Sequence, residues 1–547
     1  MAAATAELGA PIAPVVALPT PLRPPVNKWL VALSVTFGTL MATIDSSIVN
    51  VAVDQIRGTV GASVEEITWV ITGFTIAQVI VMPLTAFLGR FFGQKRLYIV
   101  CLGIFLVGSV MCGMCHTLTG LIVCRAIQGF GAGALQPTEQ AILRQTFPPK
   151  EQGMAMAFFA LAIMIGPAIG PVLGGWIVDT YSWPWIFYIN LPVGIMGMYM
   201  VHAFVHEPDD IREANRIMAD KQRKHMDWVG IALMSIGLVC LQYVFEEGGR
   251  KNWFDSSIIS WLTAITVIAL AAFVIRELTA TVPAVNLRLL KDRVFAAGTV
   301  ASMFMFAMLI TITFLLPIFM QELLGFDATQ SGLALLPRTL VMMFCMPIVG
   351  KLYNKIDTRI AVFLGLVFLT LSAWMMSHYT LQTTSAGIVA SLLVQGVGFS
   401  LLMIPLTTVT LITIPRHQMA EATGLYALFR QLGASFGLAI FATQLGREGV
   451  RSTAHLSAHL AVTNPLAQHR LASLTSGLMG RGLDAVSANA TALRALFGTV
   501  AQQATVLSFS KVFLLCAVCL MAITPLCFLL KKPKDADIPH VDVPMEI

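Results

Sequence analysis

The chain is expected to be an all-α polytopic membrane protein, because it carries too little charge to cover a water-exposed surface, contains repeated apolar runs of membrane-spanning length, and confines lysine and arginine to alternate connections. Hydrophobic residues make up 56% of the 547 residues and charged ones 12%, with a mean hydropathy of +0.78. A soluble domain carries about 25% charge, so the deficit in charge is more telling than the surplus of apolar residues. Lipid solvates apolar side chains as a core does, which removes the need for that charge.

A helix needs about 20 mostly apolar residues to cross the hydrocarbon, and about fourteen runs meet that rule. They begin near Trp29, Val64, Leu97, Leu118, Gly153, Trp185, Trp228, Ile258, Val294, Gly332, Ile360, Gly387, Ala420 and Ser508. The connections after even-numbered runs hold Arg90, Lys95 and Arg96, then Arg144 and Lys150, then Arg212 to Lys224, Arg288 to Arg293, and Lys351 to Arg359. The opposite short loops hold little beyond Arg57, Arg250 and Lys251. The bias makes the even side cytoplasmic and puts both termini there. It also explains the net charge of +6 as topological, so no nucleic-acid partner is implied.

The organisation expected in order is a disordered tail over 1–28, a six-helix bundle over 29–206 and a charged linker over 207–227. An inserted helix pair over 228–276, a second six-helix bundle over 294–530 and a tail over 531–547 follow. Pro11, Pro14, Pro19 and Pro21 interrupt the first stretch, which therefore does not read as a signal peptide. Within the second bundle, 447–507 is a long outer segment, partly helical by its spacing. The stretch from Gly350 to Arg359 echoes that from Ala86 to Lys95 in size and charge, a weak internal repeat of the kind that duplicated transporter halves show. The nine cysteines lie in apolar runs and read as free thiols.

Ionisable residues inside spans are costly and therefore mark function by default. Asp45 lies about sixteen residues into the first span, roughly 24 Å along it. Arg125 lies about two turns into the fourth, which runs the other way, so the two reach a similar depth and can pair. A carboxyl paired with a guanidinium stays ionised and loses that preference when the partner turns away, which is the logic of a proton switch. A static pair that fixes helix register is the alternative. Gln128, one turn from Arg125, is a candidate for a cavity wall together with Asn50, Glu139, Arg338, Arg430 and Gln431. Glu139 falls near the inner end of its span, so simply facing water is the alternative for it.

The fifth span carries Gly166, Pro167, Gly170, Pro171, Gly174 and Gly175. Glycines four apart share a helix face and admit a close neighbour. Prolines four apart each remove a backbone hydrogen bond and favour bending. Such a helix suits an interface that rocks. Cys112, Cys115 and His116 have the spacing of haem attachment, but they end an apolar span and lack a second ligand. No cofactor and no metal centre are therefore expected. The phosphate-binding loop of ATP-driven motors is absent from the sequence, which argues against an intrinsic ATP motor.

In this order the motifs resemble the major facilitator superfamily, specifically its fourteen-span drug:proton antiporters of the EmrB/QacA type, over about residues 29–530. Asp45 to Ala52 is similar to the first-span motif, and Leu121 to Gly129 to the fourth-span motif with its coupling arginine. Gly166 to Gly175 is similar to the antiporter motif of the fifth span. Trp185 to Gly194 and Leu428 to Gly433 fit as well.

The resemblance implies proton-coupled export of small amphipathic molecules by alternating access, with Asp45 and Arg125 coupling and Gly166–Gly175 flexing. A dedicated siderophore or metabolite exporter, or a non-transporting scaffold, are the alternatives. It also implies a Gram-negative inner membrane, a periplasmic membrane-fusion protein and an outer-membrane channel as partners, and a cytoplasmic loop gate at Arg90, Gly93, Lys95 and Arg96. The loop departs from the superfamily pattern at Ala86 and Gly89, where glycine and aspartate are usual. Pro184 and Lys511 depart as well, from an arginine and an acid.

Overall fold

The computed structural model describes residues 27–224, 227–280, 283–353, 355–460 and 464–525. Apart from Asn27 and Lys28, the expected terminal tails lie outside the described residues, as does Cys527. Fourteen helices among the described residues are long and apolar enough to cross a membrane, and no strand occurs among those residues. They are α1 (Lys28–Val60), α2 (Trp69–Phe92), α3 (Gln94–Met114), α4 (Leu118–Thr146), α5 (Gln152–Thr180), α6 (Asn190–Phe204, which crosses together with the turn before it as Trp185–Phe204), α7 (Trp228–Glu247) and α8 (Ser257–Thr279). The series continues with α9 (Arg293–Leu324), α10 (Ala328–Leu352), α11 (Thr358–Met376), α12 (Ser385–Thr410), α13 (Met419–Ser457) and α14 (Ala485–Ile523). A one-turn helix, Trp185–Tyr188, leads into α6.

Short polar residues start many of these helices. The side chains of Asn27, Thr117, Asp227, Asp292, Asp327, Asp357, Thr384 and Asp484 each accept a backbone N–H from the first turn. Those N–H groups have no partner inside the helix, so each cap is worth about 1 kcal/mol.

The packing repeats. In the first half α1 packs on α4, α5 and α6, α4 on α2 and α3, and α3 on α6. In the second, α9 packs on α12, α13 and α14, α12 on α10 and α11, and α11 on α14. The same set of pairings, shifted by eight helices, builds each bundle. The pair α7 and α8 packs on itself, and α7 leans on α2 and α13. The bundles meet through α2 against α13, α5 against α10 and α12, and α4 against α13.

The end rich in lysine and arginine, called the basic end below, is closed between the bundles. Arg90 pairs with Glu421, which also accepts from Asn286 at 2.7 Å. Arg144 donates to the Thr408 carbonyl at 3.2 Å, and Gln145 and Arg416 exchange bonds with each other's backbone carbonyls. Gly153 on α5 and Gly350 on α10 touch backbone to backbone, where a Cβ would lie 2.7 Å from a carbonyl oxygen.

At the far end the helices outrun the lipid-spanning lengths read from the sequence. α13 continues to Ser457, and α14 begins at Ala485 rather than near Ser508. A further helix, Pro465–Met479, packs on α14, so much of the outer segment is a helical extension of two spans. Lys511 on α14 meets Glu448 on α13 at 2.8 Å, and Arg451 meets the same carboxylate at 3.0 Å. The basic residue that stands where an acid is usual is thus matched across the extension. Leu466, Val486 and Val450 on it are 81%, 80% and 74% exposed.

Candidate functional site

Asp45 and Arg125 are buried in the far half of the first bundle, 0% and 1% exposed, and Arg125 Nη1 lies 2.6 Å from Asp45 Oδ2. The other carboxylate oxygen accepts from Gln128 Nε2 at 2.8 Å and from Asn190 Nδ2 at 2.7 Å. Three donors from α4 and α6 therefore converge on one acid from α1. A carboxylate removed from water needs such donors, since an unpaired buried charge costs several kcal/mol.

The arginine is held as firmly as the acid. Its Nε donates to the Val70 carbonyl at 3.2 Å and its Nη1 to Gln128 Oε1 at 2.8 Å. Its guanidinium lies over the Phe74 ring at 4.2 Å and over Phe187 at 5.8 Å. Asn190 donates onward to Ser109 Oγ at 3.0 Å, and Ser109 to the Phe187 carbonyl at 2.8 Å. The network thus spans α1, α2, α3, α4 and α6. Asn190 and Ser109 were not singled out from the sequence as site residues; a neutral side chain near a span end gives little signal, although Asn190 stands in the motif from Trp185 to Gly194.

Glycines bring these helices close enough for the network to form. On α4, Gly129 rests on the Phe74 carbonyl of α2, Gly131 on Phe105 of α3, and Gly133 on the Gln78 carbonyl of α2. On α5, Cβ atoms at Gly166, Gly170 and Gly174 would collide with Thr43, Ser47 and Ile48 of α1. Thr43 and Ser47 flank Asp45 by two residues on either side, so this glycine face seats the stretch of α1 that carries the acid. Gly175 meets nothing within 4 Å and does not belong to that face. Pro167 instead looks toward the second bundle, where it borders a small cavity of about 20 Å³ with Thr313 and Arg338. α5 thus lies between the acid-bearing helix and the opposite bundle.

The residues named for a cavity wall occupy separate surroundings. Gln128 belongs to the Asp45 network and Asn50 is exposed at the far side of α1. Arg338 donates to Thr313 at 2.9 Å and Gln395 at 3.2 Å, all three within the second bundle. Arg430 donates to Gln136 at 2.5 Å across the bundle interface and lies over the Phe306 ring at 4.7 Å, while Gln431 beside it is half-buried. Glu139 is not in water but fully buried, with one oxygen accepting from Thr36 at 3.0 Å and the other unpartnered. It lies within electrostatic reach of Arg430, because the second bundle covers the end of α4 that the sequence leaves open. Cys112 and Cys115 are free thiols, Cys112 facing Gln128 at 3.7 Å and Cys115 facing Cys124 at 3.3 Å.

At the basic end, Arg90 carries the pairing with Glu421, while Gly93 turns the chain between α2 and α3 with φ 78° and ψ 149°. Only glycine adopts that backbone readily. Glu207 packs where a side chain on Gly93 would go and accepts from Gln94 N at 3.5 Å, so a carboxylate from beyond α6 stands near the glycine-for-aspartate departure at Gly89. Gly93→Ala is expected to cost about 1–3 kcal/mol. A thermal melt of the purified protein in detergent that does not move would count against this account of the turn.

Comparison with known proteins agrees with this architecture. The chain matches the Major Facilitator Superfamily over residues 35–438. It is 35% identical to the multidrug export protein EmrB of Haemophilus influenzae over 80% of this chain and 84% of that one. It is 31% identical to EmrB of Escherichia coli over 92% of this chain and 95% of that one, and 30% identical to the fatty acid resistance protein FarB of Neisseria gonorrhoeae over 94% and 98%. Among solved structures, the proton:xylose symporter XylE is similar with a TM-score of 0.56 at 12% identity, covering 90% of this chain and 94% of that one. The human organic anion transporter MFSD10 is similar with a TM-score of 0.55 at 14% identity, covering 91% and 100%. The chain is therefore a transporter and not an enzyme, and it belongs to the major facilitator superfamily, alongside the EmrB-type export proteins.

Proposed function

We propose that the protein is a proton-coupled multidrug exporter of small amphipathic molecules, working by alternating access in a Gram-negative inner membrane with both termini cytoplasmic. The observation that carries this reading is the buried network of Asp45, Arg125, Gln128 and Asn190. Protonating Asp45 cancels the ion pair and turns one of its acceptors into a donor, which leaves Arg125 buried without a counter-ion. The protein relieves that cost by moving α1 relative to α4 and α6, and the glycine face of α5 passes the movement to the opposite bundle. In the arrangement described, the basic end is closed by Arg90–Glu421, Arg144–Thr408 and Gly153–Gly350. That is the state from which substrate leaves on the far side and a proton reaches Asp45.

The names of the relatives support an amphipathic substrate, and the energy source is the proton gradient, with no bound cofactor. Beyond the Arg90–Glu421 pair, Arg144, Arg338 and Arg430 at or near the bundle interface outnumber the carboxylate of Glu139. This favours a second, narrower reading in which the cargo is a dedicated anionic amphiphile, such as a siderophore or metabolite. The helical extension of α13 and α14, with its exposed Val450, Leu466 and Val486, supports a further partner: a periplasmic membrane-fusion protein that hands cargo to an outer-membrane channel.

The test is proton flux in proteoliposomes on adding a panel of cationic, neutral and anionic amphiphiles, wild type against Asp45→Asn. A compound-dependent flux that the substitution abolishes is expected. Flux that survives it would move the coupling site to Glu139, and silence across the panel from folded protein would sink the multidrug reading.

A further inference from the structure

Outside the Asp45 network, a cavity of about 880 Å³ opens at the basic end between α3, α6 and the amphipathic helix Asp209–Lys224. Its walls include Arg90, Lys95, Arg96, Arg212 and Arg216, with His202 and His206, against one carboxylate among the described side chains, Glu207. Arg90 is engaged by Glu421, and Glu207 is bonded to Gln94 N and to Asn215 at 3.0 Å. Lys95 lies on the His202 carbonyl at 2.7 Å, which leaves ammonium protons directed elsewhere. A pocket with this surplus of cations has the chemistry of a phosphate site.

The surroundings of the cavity select the kind of phosphate. Arg96, Val100, Gly103 and Val107 form one stripe down α3, and His202, Tyr199 and Ile195 form another down the neighbouring α6, with His206 just beyond its end. Each stripe is basic at the cavity and apolar beyond it. Val100 and Val107 are 51% and 59% exposed, and Ile195 and Tyr199 58% and 69%. The helix Asp209–Lys224 buries Ile211 and Ala219 toward the bundle while Ile217 and Met218 remain exposed beside its arginines, as in helices that lie in a headgroup layer. A soluble anion would use the basic floor alone. An acyl chain uses the apolar stripes as well.

We propose that this cavity binds the headgroup phosphate of an anionic phospholipid from the leaflet at the basic end, with its acyl chains along α3 and α6. The site adjoins the turn at Gly93 and the Arg90–Glu421 pairing. An occupied site therefore braces the closed basic end by holding α3, α6 and the helix Asp209–Lys224 together. The inference does not depend on which compound is exported.

The test uses the full chain in nanodiscs of phosphatidylcholine with a minor share of phosphatidylglycerol, then native mass spectrometry of the lipid that stays bound after washing. Wild type is expected to retain phosphatidylglycerol selectively. Arg212→Gln with Arg216→Gln should reduce that selectivity by on the order of tenfold, while Arg212→Lys with Arg216→Lys keeps it. Arg96→Gln, on the opposite wall and exposed, should reduce it as well without touching the helix, which guards against a folding artefact. Equal retention by wild type and both glutamine variants would overturn the proposal. So would displacement of the lipid by millimolar inorganic phosphate or glycerol phosphate, which would assign the pocket to a soluble anion instead.

Discussion

Arg125→Ala is expected to destabilise the protein by about 3–5 kcal/mol, because it strands the carboxylate of Asp45 at 0% exposure with only two neutral donors. Combining it with Asp45→Asn should restore much of the loss, since no charge is then buried without a partner, and the two changes should be far from additive. Arg125→Lys separates charge from shape. A lysine keeps the counter-ion, but as a point charge it cannot serve the Val70 carbonyl, Gln128 and Asp45 together as the guanidinium does. That variant should stay folded yet lose most compound-driven proton flux. Thermal melts of wild type, the two single variants, the double variant and Arg125→Lys in one detergent, with flux from the same preparations, decide the matter. If Arg125→Ala melts with wild type, or the double variant is worse than either single change, the ion pair does not hold the network as argued.

The spans were legible because a membrane imposes one rule, about 20 apolar residues in a row, on every crossing. The starts read at Leu118 and Trp228 coincide with those of α4 and α7. The rule fails where a helix leaves the lipid without ending. Residues 485–507 are too mixed in polarity to register as a span, yet their backbone simply continues into α14. Asp45 and Arg125 stood out for a related reason, since an ionisable residue in a span is rare enough to be conspicuous. Asn190 and Ser109 were not legible as site residues, because neutral polar side chains near helix ends are common and only folding brings Asn190 across 145 residues to Asp45. Glu139 is the opposite case. Its depth along α4 was readable, but the cover that takes it from water comes from α1 and the second bundle. No local pattern encodes that cover.

The same distinction between pattern and contact bears on the glycine helix. Gly170→Leu places a branched side chain where a Cβ alone would lie 2.6 Å from the Ser47 Cβ, on the stretch of α1 that carries Asp45. Overpacking of this kind costs about 1–3 kcal/mol and forces backbone shifts. Gly166 and Gly174 seat α1 equally closely on either side, so the added bulk parts α1 from α5 along that whole stretch. Pushing α1 away from α5 draws Asp45 out of register with Arg125, Gln128 and Asn190. Compound-driven proton flux should therefore fall to background in protein that still elutes as a single species. Gly175→Leu is the matched control: it lies in the same run of glycines, adds the same bulk, and meets nothing within 4 Å, so its flux should stay close to wild type. Equal damage from both substitutions would mean that the helix needs small residues in general, for flexibility or insertion. Loss at Gly170 alone would tie coupling to the single face on which α1 and α5 meet.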